Sequence, residues 1–200
     1  MEQKFIAIIE GAIKLFKKYG LRSISMDEIA LSMGMSKKTL YQYVANKEDL
    51  IKKTLEFIIE RNSINDFEDD KNLNAIDMLL QISHMVRVET VEMNPVVVFD
   101  LHKFYPTIYH DIFVKKRDII FKQMCSNFER GIKEGIYRND MDIDMFARLY
   151  VKNLMEIHDP EFINATFTKI FNAMFDIQIR AIVNNKGLAY YEQKLKPQAI

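Results

Sequence analysis

Cysteine, proline, glycine and tryptophan are scarce in this sequence: its 200 residues include one, four, six and none of them, respectively. A single thiol, Cys125, cannot form an internal disulfide, which excludes a small disulfide-rich domain and favours a reducing compartment. We expect Cys125 to be buried in an apolar helical stretch without a chemical role. Because helix breakers are so few and apolar residues return every three or four positions, the sequence predicts an all-α fold.

No charge of one sign dominates the chain. Lys and Arg together number 28, as do Asp and Glu, so net charge gives no sign of a nucleic-acid partner. No stretch approaches the roughly 20 apolar residues that cross a bilayer. Charges also interrupt the apolar pattern at the start of the chain, so no signal-peptide core is present. We therefore expect a cytoplasmic protein with no membrane partner.

Motifs of common enzymes and metal sites are also missing. The sequence has no glycine-rich phosphate loop, no Gly-x-Ser-x-Gly and no His-Glu-x-x-His. The four histidines form no i, i+4 pair, and the lone cysteine completes no ligand set. The acidic run at 66–70 lacks the glycine and terminal glutamate of a calcium loop. We therefore expect no enzyme, no cofactor and no bound metal.

Helix signals are densest near the N-terminus. One helix is predicted from Gln3 to Tyr19, and Gly20 stops it. Three N-cap residues then follow within about twenty residues, which predicts compact, short helices. These caps are Ser25, Ser36 and Asn46.

The most polar stretch, residues 62–74, predicts a boundary between a domain at 1–60 and a second domain at 61–200. Prolines and glycines divide the second domain into further helices. Their predicted ranges are 72–93, 95–104, 107–134, 142–157, 160–184 and 187–195.

The segment 26–45 has the spacing of a helix-turn-helix. Ala30 supplies the small side chain that two steeply crossing helices need where they meet, and Gly34 falls in the turn, where a positive φ costs it little. Apolar side chains that lock the two helices together recur at the required positions. They are Ile29, Met33, Met35 and Leu40.

The second helix of this motif, predicted from Lys37 to Val44, carries polar side chains that suit a DNA groove better than a protein core. Lysine can donate to guanine, glutamine pairs with the adenine edge, and a tyrosine hydroxyl reaches phosphate. The alternative is that these side chains merely solvate small helices. Between residues 14 and 53 nine basic residues face four acidic ones, which favours DNA. The candidate DNA contacts are Ser36, Lys37, Lys38, Thr39, Tyr41, Gln42, Tyr43 and Lys47.

Residues 25–50, with the runs Asp27 to Ala30, Gly34 to Ser36, Thr39 to Tyr41 and Asn46 to Leu50, resemble the TetR family of bacterial transcriptional regulators. The resemblance implies an N-terminal three-helix domain with a helix-turn-helix, followed by a helical domain for ligand binding and dimerisation. It also implies a repressor that binds a palindromic double-stranded operator as a homodimer and is released by a small molecule.

The resemblance also divides the candidate contacts by role. Lys37, Lys38 and Gln42 fall where family members contact bases, and Thr39, Tyr41, Tyr43 and Lys47 fall where they hold phosphates or thymine methyls. Two positions depart from the family pattern. Val44 stands where phenylalanine is common and Lys38 where a small residue is common, so operator preference cannot be carried over.

The second half offers more apolar surface than one small core covers, which favours a homodimer through residues 142–184. This surface comprises Phe146, Leu149, Tyr150, Leu154, Ile157, Phe162, Phe167, Ile170, Phe171, Met174 and Phe175.

Aromatic and histidine side chains could line a soft cavity for an apolar ligand, or could equally be plain packing. The candidates are His84, Phe99, His102, Tyr105, Tyr109, Phe128 and Tyr150. Two other interpretations are an enzyme, which the missing motifs oppose, and a helical interaction module that no longer binds DNA.

Overall fold

The computed structural model describes residues 3–61, 72–92, 94–157 and 167–195. Helices account for most of these ranges, and none of the ranges contains a strand, so the all-α prediction is confirmed. The helices are α1 Gln3–Tyr19, α2 Met26–Ser32, α3 Lys37–Leu40, α4 Lys47–Arg61, α5 Ala75–Glu92, α6 Pro95–Phe104, α7 Pro106–Lys133, α8 Ile143–Ile157, α9 Phe167–Ile182 and α10 Asn185–Leu195.

Predicted helix limits agree with these within a few residues where they can be compared. The polar boundary at 62–74 lies mostly outside the described residues, because 62–71 and the acidic run are not among them. The predicted start of a helix at 160 also lies outside, as do Phe162 and His158. Within the described residues that helix spans Phe167–Ile182.

The chain divides into two compact units. Unit 1 comprises residues 1–63 and 92–116, and unit 2 comprises residues 64–91 and 117–200. Packing thus groups α6 and the start of α7 with the N-terminal helices, a grouping for which the apolar pattern gives no signal. As functional domains, 1–60 and 61–200 stay a prediction.

Unit 1 is built on the apolar face of α1. Ile8, Ile9 and Ala12 are fully buried, and they recur at the spacing that places side chains on one helix face. Leu101 of α6 and Ile108 of α7 belong to the same cluster. Each large apolar side chain buried here contributes about 1.5–3 kcal/mol through removal from water.

In unit 2 the first residue of α5 is held by Asn127 of α7 and by Glu134, the residue that follows α7. Asn127 donates from Nδ2 to the carbonyl of Ala75 at 2.9 Å, and Glu134 accepts the Ala75 amide at 2.9 Å. Tyr137 donates its hydroxyl hydrogen to Asn127 Oδ1, and burial raises the pKa of Tyr137 well above its usual value.

The predicted excess of apolar surface in residues 142–184 is partly wrong, because helix packing buries four of the predicted side chains within unit 2. These are Tyr150, Leu154, Phe171 and Phe175.

Cys125 is half-buried on α7 rather than fully buried. Burial, with Asp144 and Glu129 nearby, raises the pKa of its thiol. A thiol with a raised pKa is a weaker nucleophile at neutral pH than an unperturbed one.

Gly20 and Gly34 offer a matched test of packing in unit 1, because both have positive φ, 84° and 64°. A Cβ at Gly20 would lie 2.9 Å from Val96 Cγ1, whereas one at Gly34 would meet nothing within 4 Å. We expect Gly34→Ala to lower the free energy of unfolding by about 1–2 kcal/mol from backbone strain alone. Gly20→Ala should cost about 1–3 kcal/mol more through overpacking. Urea denaturation followed by circular dichroism measures both, and equal losses would contradict the close packing of α6 on Gly20.

Candidate nucleic-acid interface

The segment from Met26 to Leu40 forms the predicted helix-turn-helix. Ser25 caps α2 in a capping box: its hydroxyl accepts the Glu28 amide at 3.2 Å, and Glu28 accepts the Ser25 amide at 2.7 Å. The Ser25 amide, and the Ser25 hydroxyl that donates to the same carboxylate oxygen at 2.7 Å, lower the pKa of Glu28. The turn closes where Met35 donates its amide to the carbonyl of Ala30 at 3.0 Å. Gly34 takes the positive φ in this turn, as predicted.

The second helix of the motif is shorter than predicted. It spans Lys37–Leu40, is capped by Ser36, and gives way to a tight turn instead of continuing to Val44. The amides of Gln42 and Tyr43 donate three residues back, a spacing typical of 3₁₀ geometry. The cause is tertiary packing, because Val44 is buried in the core and the next helix begins at Lys47, so the chain must leave the helix axis within one turn. We call residues 36–43 the recognition segment.

The recognition segment buries its apolar side chains in the core and exposes most of its polar ones to solvent. Leu40 is fully buried, and Val44 just beyond the segment is 2% exposed. Most of the predicted DNA contacts are exposed, whereas three are half-buried. Exposed are Ser36, Lys37, Lys38, Tyr41 and Gln42; half-buried are Thr39, Tyr43 and Lys47.

Two half-buried members also serve the fold. Thr39 Oγ1 lies 2.8 Å from the Ser36 hydroxyl, and the Tyr43 ring stacks on Phe5 with centroids 6.5 Å apart. The Tyr43 carbonyl accepts a hydrogen bond from Lys53 Nζ at 3.0 Å. These contacts fix the backbone of the recognition segment before any ligand is present.

The two adjacent lysines of the recognition segment differ in their surroundings. Lys37 Nζ lies 2.8 Å from Asp27 Oδ1 of α2, and this hydrogen-bonded carboxylate raises the pKa of Lys37. For Lys38, the described part of the chain supplies no ion-pair partner. Asp27 was absent from the sequence-based site, because nothing in the local sequence shows that the first turn of α2 faces the start of α3.

Lys47 opens α4 and reaches back to the loop between α1 and α2. Its Nζ donates to the carbonyl of Arg22 at 3.2 Å. Burial lowers the pKa of Lys47, while the charges of Asp100 and Glu28 oppose that shift. Asn46 Oδ1 accepts the Asp49 amide at 2.9 Å, and Asp49 Oδ2 accepts the Ala45 amide and the Lys53 ammonium, each at 2.8 Å. Although burial opposes it, the bonds from Lys53 and Ala45 lower the pKa of Asp49.

The seven predicted ligand contacts do not fall in one unit. Phe99, His102, Tyr105 and Tyr109 belong to unit 1, whereas His84, Phe128 and Tyr150 belong to unit 2. Within unit 1 the rings of His102 and Tyr109 lie 4.8 Å apart, and Phe99 is 54% exposed. Within unit 2, Phe128 and Tyr150 are buried and His84 is exposed.

Within the described ranges, no three His, Cys, Asp or Glu residues are grouped so as to hold a metal ion. Among the helices of those same ranges, none is both long and apolar enough to pass through a bilayer.

A short helix that follows a glycine turn, buries Leu40 in the core and exposes its polar side chains defines a helix-turn-helix protein of the DNA-binding kind. Comparison with known families agrees, since residues 8–54 match the family described as bacterial regulatory proteins, tetR family. The chain belongs to the TetR family and is a helix-turn-helix transcriptional regulator, not an enzyme.

Relatives extend the match beyond the motif. The HTH-type transcriptional regulator SAR2658 of Staphylococcus aureus (strain MRSA252) is 32% identical over 131 residues, which covers 58% of this chain and 70% of that protein. The uncharacterized HTH-type transcriptional regulator YvaF of Bacillus subtilis (strain 168) is 24% identical over 159 residues, covering 78% and 81%.

Among solved structures, a gamma-butyrolactone receptor (ArpA-like protein) superposes with a TM-score of 0.58 at 22% identity. The superposition covers 94% of this chain and 91% of the receptor chain. At this identity the likeness shows the fold alone.

Proposed function

We propose that this regulator is a cytoplasmic repressor that binds a palindromic operator as a homodimer and is released by a small, apolar ligand bound by residues 61–200. The observation that carries the DNA half is the recognition segment, whose backbone is anchored by Leu40 and Val44 while its polar side chains face solvent. Exposed lysine, tyrosine and glutamine side chains on a fixed backbone suit a DNA groove.

We assign the exposed Lys37, Lys38 and Gln42 to base edges. We assign contacts with phosphates or thymine methyls to the other candidate side chains in and beside the recognition segment. Ser36 precedes α3, where backbone N–H groups favour a nearby anion. Its hydroxyl already accepts the Thr39 amide as the helix cap. The remaining assignments are Thr39, Tyr41, Tyr43 and Lys47.

Gln42→Ala and Lys47→Ala separate base contact from phosphate contact. Lys47→Ala should weaken binding by about tenfold near 0.1 M salt on every sequence and lower the salt slope by about one, because one phosphate contact is lost. Gln42→Ala should relax preference at one base position and leave the slope unchanged. Duplexes selected from a randomised pool, assayed by fluorescence anisotropy over a range of salt, measure both.

Equal effects of the two changes on every duplex would contradict these roles. An unmodified protein that shows no salt-dependent binding to any duplex would favour the interaction-module hypothesis instead.

The proposed dimer uses α8 and α9, which pack against each other within the chain. Large apolar side chains stay exposed on both helices: Met145 and Leu149 lie one turn apart on α8, and Ile177 of α9 is 67% exposed. A second copy that covers them would remove this apolar surface from water. It would also place two recognition segments on one DNA face, as a palindrome requires.

Leu149→Glu tests this surface against a matched control, Leu195→Glu at the end of α10, because both leucines are 50% exposed. We expect Leu149→Glu to weaken dimerisation by at least about tenfold, since a charge would be buried without a partner. Leu195→Glu should leave it unchanged. Sedimentation equilibrium of the full chain measures both, and equal losses would contradict the assignment to α8 and α9.

The proposed ligand acts by changing the spacing of the two recognition segments, so that ligand and DNA oppose each other. Support comes from the buried aromatics Phe128 and Tyr150 in unit 2 and from the fold shared with a receptor for a small molecule. Native mass spectrometry identifies a retained compound, and its affinity is then measured on free and DNA-bound protein. We expect weaker binding to the DNA-bound form, and equal affinity for both forms would contradict the coupling.

A further inference from the structure

Asp100, on α6, is a buried carboxylate with two backbone partners far away in sequence. Its side chain belongs to a residue that is 4% exposed, and Oδ2 accepts the amides of Leu21 at 2.8 Å and Arg22 at 2.9 Å. Burying a carboxylate is unfavourable unless such bonds compensate. For packing alone an apolar residue would suffice, so the two amides account for a carboxylate at this position.

Other side chains of unit 1 hold the same loop. Asn94, which caps α6, donates from Nδ2 to the Lys17 carbonyl at 2.8 Å. The Arg22 guanidinium lies 4.3 Å from the centroid of the Phe104 ring, a cation–π contact. The end of α1 and the loop after it are thus fixed by the N-cap of α6 and two residues of that helix, which together we call the loop clamp: Asn94, Asp100 and Phe104.

Arg22 connects the loop clamp to the predicted DNA contact. Asp100 holds its amide, and its carbonyl accepts the hydrogen bond from Lys47 Nζ. The position of the Lys47 ammonium therefore depends on the backbone of Arg22, whose amide is held by Asp100. The Asp100 charge also favours the charged form of Lys47 against burial.

We propose that Asp100 is a positioning residue for DNA binding: by holding Leu21 and Arg22 it sets the place of the Lys47 ammonium at the start of α4. This inference rests on the proposed phosphate contact of Lys47. Asp100, 53 positions after Lys47 in the chain, would then take part in a DNA contact that the sequence assigns to the helix-turn-helix region alone.

A double-mutant cycle on the full chain tests the inference. A duplex of mixed sequence suffices as the probe, because a phosphate contact does not depend on sequence. We expect Asp100→Ala to weaken binding by about tenfold near 0.1 M salt and to lower the salt slope by about one, as Lys47→Ala does. In the Lys47→Ala background the further loss should be less than about twofold, since contacts that act as a unit are not additive.

Two variants separate positioning from loss of charge or fold. Asp100→Asn keeps an oxygen that can accept both amides, so it should restore most of the affinity. Asp111→Ala removes another carboxylate of unit 1, one that pairs with Lys52 at 3.1 Å in an exposed position, and should leave the salt slope unchanged. If Asp100→Ala does not fold at the assay temperature, Asp100→Glu replaces it, because it keeps the charge and displaces the carboxylate by one methylene.

Additive losses from Asp100→Ala and Lys47→Ala would overturn the inference and leave the Lys47 contact intact. Unchanged affinity in Lys47→Ala alone would overturn the proposed contact and the inference with it. Failure of Asp100→Asn to restore the slope would overturn positioning through the two amides.

Discussion

Burial of Leu40 and Val44 is the constraint on which the DNA-binding half depends. The α3 helix has four residues, far fewer than the 12 or so that an isolated helix needs to be even marginally stable in water. Its geometry must therefore come from tertiary packing. Leu40 packs into the same core cluster as Ile29 and Ala30 of α2, so the crossing of the two helices and the exposure of the polar side chains have one cause.

This dependence explains which parts of the site the sequence could predict. The core positions of the motif are short-range: Ala30, Gly34 and Leu40 stand at fixed spacing, and the same spacing sets their packing. Cap residues are also local, because Ser25 and Ser36 bond to amides three residues away. Local rules therefore place α2 and α3 well and the exposed polar set with them.

Long-range contacts set the limits of that prediction. The tight turn after Leu40 depends on where Val44 is buried, and a helical pattern alone extends the helix through it. Asp27 meets Lys37 only because two helices cross. The grouping of residues 92–116 with the N-terminal helices depends on Asp100 and Leu101, which are separated from their partners by about the length of a small domain.

Intramolecular partners also change what the basic residues can contribute to DNA binding. A lysine that already lies beside a carboxylate releases fewer counterions from DNA when it contacts a phosphate than an unpaired lysine does, because its charge is partly compensated before the encounter. By this argument we expect Lys37, beside Asp27, to contribute less to the affinity of the proposed DNA complex than Lys38 does. Lys47 differs again, since its ammonium donates to the neutral carbonyl of Arg22, which sets its position, while the charges of Asp100 and Glu28 act on it from nearby. The local excess of positive charge therefore overstates the electrostatic attraction that we expect toward DNA, because intramolecular carboxylates already compensate part of it.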